Sequence, residues 1–547
     1  MDDKAHSERE HFFGAAKLVA GLTLLSRVAG MLRAMAIAML GANIYTDAFA
    51  LAFKVPNLFR RLFAEGAMSA AFVPVFTETA EKDGLPAASR LLANAMGLLA
   101  LMLVVLAVLV ELGLLAWMRW AGPAQDTRLA IWLTSLMMPF MVTICLLAIG
   151  SAALNCRGHF AYPAFAPVIL NVVIVAAAFG SYRYWRGPVQ DKLMIVAAGV
   201  SLAGIVQFAG IFWLLKRSGF ALRWRLRPLQ PGISRIVRLM GPMMLGLGFL
   251  QLSELLESYL AFVLRYDASA PTISLLGWQL TKPLSAGVLP RIDNARYLYQ
   301  FPMGVLAISL GVAVFPLLSR YASRGDMPNL RNSVNRAVRL SFMEGMATGV
   351  GLFMLAEPIT MLLFRHGDYT VADARTTAFI VRMYATGMWA YCTYQIFTRA
   401  FYALQDTRTP LKVSCAMALL HLVLVFTLVW APALGPGAFG LATAAVFCVN
   451  TLALALMLRR KLGRVGGRQI AFSALRTCAA CAIMAAAVWA IQRSLDGRSN
   501  WLIVLACVPV GAAVFVAAAA AMRAPELGEL FGSVRRRAGD ESPPANV

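Results

Sequence analysis

The stretch that decides the fold is residues 23–79, TLLSRVAGMLRAMAIAMLGANIYTDAFALAFKVPNLFRRLFAEGAMSAAFVPVFTET. It is mostly apolar and long enough for two membrane-crossing helices, each of which needs about 20 residues. Charged side chains nevertheless lie within or beside these helices: Arg27, Arg33, Asp47, Lys54, Arg60, Arg61 and Glu65. A charge in hydrocarbon costs from about 3 to more than 10 kcal/mol, so such residues face water, a partner charge or a charged ligand. We interpret them as the lining of a polar cavity inside a membrane protein; the alternative is that Arg61 simply pairs with Glu65 along one helix face.

The composition extends this interpretation to the whole chain. Of its 547 residues, 60% are hydrophobic and only 14% are charged, whereas soluble domains carry about 25% charged residues. Apolar runs of about 20 residues recur and predict an all-α membrane protein. The runs are too long and too little alternating for a membrane β-barrel. We expect about fourteen transmembrane helices, near residues 17–40, 47–78, 88–117, 129–155, 162–182, 193–215, 237–264, 294–320, 340–364, 376–403, 411–430, 437–458, 470–491 and 500–522.

The charges of the loops predict the orientation of the chain. A net charge of +23 would suggest a nucleic-acid partner in a soluble protein, but most of this charge lies in short loops between the spans. The loops 216–238, 320–339 and 459–468 follow even-numbered spans and are strongly basic, whereas the loops after odd-numbered spans are poorer in Lys and Arg or balanced. Because basic loops stay on the cytoplasmic side of a membrane, we expect both termini in the cytoplasm.

The spans fall into two groups that resemble each other weakly. Span two ends in AAFVPVFTETAEKDG and span eight in VAVFPLLSRYASRGD, and both cross in the same direction because six spans separate them. This pattern is typical of transporters whose two lobes are related by a pseudo-two-fold axis along the membrane normal. We predict a six-helix lobe at 1–218, a cytoplasmic linker at 219–236, a second six-helix lobe at 237–460, two extra transmembrane helices at 461–523 and a cytoplasmic tail at 524–547.

Three connecting or terminal segments differ from the spans in composition. The linker is basic and contains Trp224, which favours contact with anionic lipid at the membrane surface. The external stretch 265–293 is long enough to contain a re-entrant or interfacial segment. The tail from residue 524 contains three consecutive arginines, 535–537, and we expect it to be exposed and loosely ordered.

The sequence contains no motif for ATP-driven or enzymatic chemistry. It has no GxxxxGK[ST] phosphate loop, no HExxH, no GxSxG and no convergent set of Cys and His. Its eight cysteines lie mostly in apolar segments, and the CxxC formed by Cys478 and Cys481 has no nearby His or Asp, which favours a packing role. We therefore expect no cofactor, no metal site and no catalytic residue.

What remains is a set of cations in apolar helices. Arg27 and Arg33 in span one are about 120° apart around an ideal helix, so they need a broad cavity or a bend, for which Gly30 lies between them. In span two, Lys54, Arg61 and Glu65 fall close to one face, and Arg60 lies about 100° away. Guanidinium groups form paired, charge-assisted hydrogen bonds with phosphate and stay protonated. Such a cavity suits an anionic lipid headgroup and disfavours a pump for cationic drugs.

The second half of the chain contributes fewer charges to its spans. Arg296 lies at the start of span eight, and Glu254 and Glu257 lie in span seven. Two interpretations of these glutamates stay open: a hydrogen bond between the lobes, or coupling to a proton or another cation.

Five motifs carry a resemblance to a known family. SRVAGMLR, TDAFALAFKVPNLFRRLFAEGAMSAAFVPVF, APVILN, LYQFPMGVLAISLGVAVFPLLSR and FYALQDTRTP resemble the MurJ (MviN) family of lipid II flippases, in the multidrug/oligosaccharidyl-lipid/polysaccharide exporter superfamily. The resemblance implies a V-shaped cavity between two six-helix lobes and two further helices that form a lipid-facing groove. It also implies movement of undecaprenyl-diphosphate-linked disaccharide pentapeptide from the cytoplasmic to the periplasmic leaflet.

The resemblance implies roles for single residues as well. The expected substrate-binding residues are Arg27, Arg33, Lys54, Arg60, Arg61 and Arg296. Asp47 and Glu65 are expected to tune or gate the site by pairing with these arginines when no cargo is present. The chain departs from the family pattern at Ala34, where an aspartate is common, and at Tyr297, where an arginine is usual and Arg296 comes one residue earlier.

The sequence thus predicts a lipid II flippase that works by alternating access in the bacterial inner membrane. Its expected partners are lipid II, membrane lipids and other cell-wall synthesis proteins, without nucleic acid. One alternative is an exporter of another lipid-linked oligosaccharide or polysaccharide of the same superfamily. Two others are a membrane-integral glycosyltransferase or lipid-modifying enzyme, and a scaffold for wall synthesis without transport.

Overall fold

Long helices make up almost all of the chain that the computed structural model describes, which is residues 2–63, 68–222, 227, 231–267, 270–275, 277–305 and 307–528. This confirms the predicted all-α class. In chain order the elements are α1 (Asp2–Ala38), α2 (Ile44–Leu62), α3 (Met68–Ala121), α4 (Gln125–Cys156), α5 (Ala161–Tyr184), α6 (Val189–Arg217), α7 (Pro231–Val263), β1 (Thr272–Leu275), β2 (Trp278–Thr281), α8 (Val288–Val305), α9 (Ala307–Ser323), α10 (Met327–Phe364), α11 (Val371–Ala385), α12 (Met388–Ala403), α13 (Arg408–Leu428), α14 (Gly437–Leu462), α15 (Gly467–Ser494) and α16 (Asn500–Ala521).

Ten of the described helices are long and apolar enough to cross a membrane, and the bent pair α8 and α9 raises the number to eleven. The ten are α1, α3, α4, α5, α6, α10, α13, α14, α15 and α16. Every one of the fourteen predicted segments overlaps a helix or two consecutive helices, but the predicted number of spans is not confirmed. α2 carries one aspartate, one lysine and two arginines. α11 and α12 have 15 and 16 residues, and each is shorter than the hydrocarbon thickness of about 30 Å at about 1.5 Å per residue.

The second predicted span, 47–78, is divided between two helices. α2 ends at Leu62 and α3 begins at Met68, while residues 64–67 lie outside the described part of the chain. α3 contains a break at Gly84, whose φ of 76° lies in the left-handed region that favours glycine. The boundary between the second and third predicted spans therefore falls near this glycine, where α3 is kinked.

The helices form two compact units, of which the first comprises Met1–Pro290 and His366–Thr370. In this unit α4 packs against α2, α3 and α6, and α5 packs against α1 and α6. α7 packs against α2 and α3 of the same unit, although its residues belong to the predicted second lobe, 237–460. The contacts thus divide the chain after Pro290, and the lobe boundary at 219–236 stays a prediction.

The second unit comprises Arg291–Arg365 and Val371–Val547. Its helix pairs α9–α12, α10–α12, α12–α14 and α13–α14 correspond to the pairs α2–α4, α3–α4, α4–α6 and α5–α6 of the first unit. This correspondence supports the predicted repeat of six spans, and the pseudo-two-fold axis stays a prediction. α15 and α16 pack against each other and against α10, with Met343, Met484 and Phe515 in their shared core.

The connecting segments contain regular structure of their own. α7 begins at Pro231, so the end of the predicted linker is helical. The backbone of Arg227 in the linker forms two hydrogen bonds of 2.8 Å with the side chain of Asn94 in α3, whereas Trp224 lies outside the described residues. The stretch 265–293 contains an antiparallel hairpin of β1 and β2, in which Thr272 is paired with Thr281. The re-entrant or interfacial segment that we considered there stays a prediction.

The first residues of the predicted tail are packed rather than exposed. Glu526 is only 1% exposed, accepts a hydrogen bond of 2.7 Å from Ser473 in α15 and pairs with Arg339 in α10 at 2.9 Å. The prediction of a loose tail is therefore wrong from residue 524 to this glutamate, because a buried ion pair fixes the chain after α16. Residues 529–547, including the three arginines, lie outside the described residues.

The turn between α12 and α13, which contains the LQDTRTP motif, is held by Asp406. Its carboxylate accepts hydrogen bonds from Lys461 at the end of α14, from the Thr409 backbone at 3.0 Å and from the Thr409 hydroxyl at 2.6 Å. These donors, Lys461 above all, hold the pKa of Asp406 well below its usual value. The motif thus ties three helices of the second unit together at one loop.

One glycine of the second unit tests this packing directly. A Cβ atom at Gly387, between α11 and α12, would lie 2.5 Å from the Cα of Ala444 in α14, whereas a Cβ at Gly351 in α10 would meet nothing within 4 Å. We predict that Gly387→Ala lowers the free energy of unfolding by about 1–3 kcal/mol through overpacking, and that Gly351→Ala leaves it unchanged or raises it. Thermal unfolding of both variants in detergent measures the difference, and equal melting temperatures would contradict the packing described.

Candidate functional site: charged residues on α1, α2 and α7

The two arginines of α1 lie on a helix whose position is fixed by α5. The side-chain amide of Asn171 in α5 donates a hydrogen bond of 3.2 Å to the backbone oxygen of Ser26, next to Arg27. One and a half turns later, the guanidinium of Arg33 lies 5.7 Å from the ring centre of Phe53 in α2, a distance at which a cation is attracted to the ring. Both arginines are partly exposed, so neither is sealed in the helix packing.

α2 begins with a capping box that fixes where its charged residues lie. The side chain of Asn43 accepts hydrogen bonds of 3.0 Å from the backbone nitrogens of Tyr45 and Thr46, and the Thr46 hydroxyl accepts one of 2.9 Å from the Asn43 backbone. Asp47 follows in the first turn, where a negative charge suits the helix dipole. At the other end of the helix, Arg60 donates a hydrogen bond of 2.6 Å to the side chain of Asn57.

Lys54 and Arg61, in the second half of α2, contact α7. Arg61 forms an ion pair with Glu254 and donates a hydrogen bond of 3.3 Å to Gln251. Lys54 donates one of 2.8 Å to the hydroxyl of Ser258. A small cavity that is open on one side lies at this contact, and it is lined by Lys54, Asn57, Leu58, Arg61, Gln251, Glu254 and Leu255.

These contacts bear on the interpretations that the sequence left open. Glu65, the alternative partner of Arg61, lies outside the described residues, and the acid beside Arg61 is Glu254, far away in sequence. Because α2 and α7 belong to the same unit, the contact of Glu254 with Arg61 does not decide between the two interpretations of the span-seven glutamates, and both stay predictions. The predicted proximity of Lys54 and Arg61 on one face of α2 is confirmed, because both line the same cavity.

Asp47 lies in a second, fully buried cluster at the other end of α2. Its carboxylate accepts hydrogen bonds of 2.7 and 2.8 Å from the backbone nitrogens of Gly287 and Leu289, at the start of α8. Arg265, just after α7, lies 3.6 Å from Asp47 and also pairs with Asp126 at the start of α4. The side chains of Arg265 and Asp47 are 3% and 0% exposed. One buried cation thus bridges two buried carboxylates from different helices.

The close fit of glycines around this cluster leaves little room for change. A Cβ at Gly287, whose φ is 78°, would lie 2.2 Å from the backbone carbon of Ala42, in the turn before α2. Gly367, also with a positive φ, approaches the backbone oxygen of Met39 in the same way. The backbone at residues 287 and 367 therefore packs directly against the turn between α1 and α2.

The cluster shows contacts of Asp47 that the sequence did not indicate. We expected this carboxylate to pair with the arginines of α1 and α2, and that role stays a prediction; the ion pair described for it is with Arg265, which was missed together with Asp126. Each lies just outside a predicted apolar span, so the sequence indicated that it lies near a helix end. The sequence did not indicate that the two residues form an ion pair, because they are far apart in the chain.

Arg296 belongs to the second unit, in α8. Its Nε donates a hydrogen bond of 3.3 Å to the hydroxyl of Tyr384, and its guanidinium lies 3.9 Å from Asp293. The ring of Tyr384 stacks on that of Tyr299 with centres 4.4 Å apart. Arg291, one and a half turns earlier, is instead fixed by two hydrogen bonds, of 2.5 and 3.1 Å, to one carboxylate oxygen of Asp373.

Among the described residues, no group of three or more His, Cys, Asp or Glu side chains could hold a metal ion. All eight cysteines are free, and Cys478 is exposed whereas Cys481 is buried in the core of α15 and α16. The charged residues of the candidate site are therefore cations and their counter-ions, and they lie on helices that are otherwise mostly apolar.

The fold and these charges define a class, the polytopic membrane transporters with charged residues among their helices. Among solved structures, the chain is similar to an inward-closed lipid II flippase MurJ, with a TM-score of 0.73, 22% identity and coverage of 92% of this chain and 98% of that one. It is also similar to an inward-facing multidrug resistance MATE family transporter, with a TM-score of 0.63, 14% identity and coverage of 82% and 98%. At these identities the two likenesses show the fold alone.

The family follows from the sequence comparisons. The family model described as "Lipid II flippase MurJ" matches residues 36–506. The lipid II flippase MurJ of Burkholderia cenocepacia is 32% identical over 465 residues, which are 82% of this chain and 84% of that protein. The probable lipid II flippase MurJ of Bdellovibrio bacteriovorus is 31% identical over 428 residues, 76% of each. The chain belongs to the MurJ family of lipid II flippases.

Arg265 gives the sharpest test of the site geometry. We predict that Arg265→Gln lowers the free energy of unfolding by about 3–5 kcal/mol, because two buried carboxylates then lose their shared cation. Arg382→Gln removes a partly exposed arginine that lies 3.4 Å from Glu357, and such pairs contribute about 0–1 kcal/mol. Thermal unfolding of the purified variants compares them, and an equally small effect of both substitutions would count against a buried Arg265 cluster.

Proposed function

We propose that this chain moves lipid II, the undecaprenyl-diphosphate-linked precursor of peptidoglycan, from the cytoplasmic to the outer leaflet of the bacterial inner membrane. One observation carries the proposal: partly exposed arginines lie on the spanning helix α1 and on α2 of a chain that belongs to the lipid II flippase family. A diphosphate is the part of lipid II that such groups suit best, because guanidinium ions pair with phosphate oxygens and remain charged at every physiological pH.

The proposed ligands of the diphosphate are Arg27 and Arg33 on α1 and Arg60 on α2. Arg61 and Lys54 belong to the cavity at α7, and Arg296, held by Tyr384 in the second unit, stays a candidate ligand. The tuning role of Glu65 also stays a proposal. The polyprenyl tail is proposed to remain in the lipid beside α15 and α16, where large apolar side chains are exposed, among them Leu475, Trp489 and Leu505.

Transport by alternating access requires that one end of the cavity is closed while the other is open. With the orientation that the loop charges predict, both termini lie in the cytoplasm and the start of α2 lies toward the outer leaflet. The contacts of Asp47 with the start of α8 and with Arg265 hold this end of the first unit together.

We propose that the membrane potential helps to reset an empty cavity with excess positive charge. Moving one charge across the membrane is worth about 2.3 kcal/mol per 100 mV. A phosphate-binding loop for ATP is not found in the sequence, so we propose that charge movement, and not nucleotide hydrolysis, drives the cycle. The family match favours lipid II over the other lipid-linked saccharides that the sequence left open as cargo.

The proposal is tested by removing one proposed ligand from a cell that depends on the protein. We predict that Arg33→Ala abolishes complementation of a flippase-depleted strain while the protein remains at its normal level in the membrane, because the diphosphate loses a paired cation. Growth after depletion, with membrane fractions probed for the protein, is the measurement.

The matched control is Arg183→Ala. Arg183 is exposed at the end of α5 and contacts only Tyr184 among the ring contacts described for it, so full growth is expected. Full rescue by Arg33→Ala would reject the role of this arginine, and growth arrest with both variants would show that the assay reports general damage instead.

A further inference from the structure

One acidic residue in the middle of a spanning helix has no part in the site described above. Glu344 lies about 26 Å along α10 from Met327 and about 30 Å from Phe364, at about 1.5 Å per residue. α10 is long and apolar enough to cross a membrane. A charged side chain in the middle of such a helix is costly and is rarely retained without a function.

The helices beside Glu344 are packed closely, at two glycines that follow it in α10. A Cβ at Gly345 would lie 2.8 Å from the Cα of Trp389 in α12. A Cβ at Gly349 would lie 2.8 Å from the backbone oxygen of Ala385, at the end of α11. Because even a methyl group does not fit between these backbones, a water molecule does not fit there either.

One oxygen of the Glu344 carboxyl group is sealed by its surroundings. Its Oε2 atom is buried and accepts no hydrogen bond, and the carboxyl group takes part in no ion pair among the described residues. The residue as a whole is half-buried. An ionised carboxylate without a donor or a cation beside it is far more costly to bury than the neutral acid. The environment of Oε2 therefore favours a carboxyl group that has bound a proton.

The groups around Glu344 supply no charge that would balance an ionised carboxylate. From α12, the buried thiol of Cys392 interacts with Glu344. The thiols of Cys481 in α15 and Cys507 in α16 lie in the core that contains Met343. The charged side chains of the helices that pack on α10 are exposed or contact other residues: Arg320 in α9, Asp373, Arg375 and Arg382 in α11, Arg399 in α12, and Arg468, Arg476 and Arg493 in α15.

A proton is the ligand that these surroundings suit. A bound metal ion needs several oxygen, nitrogen or sulfur ligands, and no group of three His, Cys, Asp or Glu side chains in the described part of the chain could hold one. A proton needs a single carboxyl oxygen. Glu344 is thus suited to bind a proton without any further ligand.

We propose that Glu344 is a proton-binding site of the second unit and that its proton is exchanged for the cargo in each transport cycle. The O–H bond of the carboxyl group forms with a proton from water on the outer side, and it breaks when the proton passes to water on the cytoplasmic side. The proton thus moves inward as the empty protein returns, opposite to lipid II. The inference rests on the proposed function, because it takes the cargo to be lipid II.

The helix packing couples the proton to a conformational change. The neutral acid is compatible with the close contact of α10 with α12 at Gly345, whereas an ionised Glu344 requires water or a cation beside it. Loss of the proton therefore favours an arrangement in which water enters between these helices. The proton also adds one positive charge to the inward return of the empty protein, which is the direction that an inside-negative membrane potential favours.

The first experiment detects the proton itself by infrared spectroscopy of the full-length chain in nanodiscs. We predict a carboxylic acid C=O band that is lost as the pH is raised and that is absent in Glu344→Gln. The matched control is Glu357→Gln in the same helix, where Arg375 and Arg382 contact the carboxylate, and it should keep the band. A band of full size in Glu344→Gln overturns the proposal. If this variant does not fold, Glu344→Asp replaces it: a shifted band supports the assignment, and an unshifted band overturns it.

The second experiment measures the exchange in sealed vesicles that contain the protein and lipid II, with a pH difference of one unit and the membrane potential held at zero. For one proton exchanged per lipid II, the ratio of lipid II between the two leaflets shifts up to about tenfold toward the acidic side. We predict this shift for the wild type and for Glu357→Gln, and no shift for Glu344→Gln. A purely structural role of Glu344 predicts the same ratio with and without the pH difference in all three proteins.

The results separate this proposal from the function on which it rests. A wild type that flips lipid II to a ratio independent of the pH difference overturns the proton exchange and leaves the proposed function in place. A wild type that does not flip lipid II overturns the proposed function, and the infrared band then decides whether Glu344 binds a proton.

Discussion

The structure depends on one constraint: a charge inside a membrane protein must have a counter-charge or water beside it. The chain meets this constraint in two ways within its first unit. At the start of α2, Arg265 is sealed between Asp47 and Asp126, and the backbone of α8 supplies two further donors to Asp47. Near the end of the same helix, Arg61 and Glu254 remain accessible. The first arrangement holds helices in place, and the second leaves charge available to a ligand.

This difference gives the two ends of α2 different functions in the proposed cycle. The sealed cluster brings the turn between α1 and α2 together with the start of α8, and the glycines there allow backbones to approach closely. In the proposed cycle, the accessible arginines of α1 and α2 bind the anionic headgroup and the sealed cluster keeps the helices around them in place.

The sequence predicted the features that arise from composition and local spacing. Arg27, Arg33, Arg60 and Arg61 could be identified because a charge in an apolar run is rare and costly. The all-α class follows from the length of the apolar runs. The shared face of Lys54 and Arg61 follows from helix geometry. The family resemblance, strongest over residues 23–79, agreed with the match of the family model to residues 36–506.

The rest depended on contacts between residues far apart in the chain. Nothing near Asp47 indicates that its cation is Arg265, and nothing near Arg61 indicates Glu254. The packed Glu526 was missed because a short polar segment after the last span resembles a loose tail until the arginine and serine that bind it are known.

The central claim is that these intramembrane cations serve the passage of a lipid-linked diphosphate. The most direct test places purified protein and lipid II in sealed vesicles and measures, over time, the fraction of lipid II that an enzyme or label confined to one side can reach. The account predicts that this fraction rises beyond that of protein-free vesicles and approaches all of the lipid II. Equal accessible fractions with and without the protein, under an imposed membrane potential as well as without one, would contradict it.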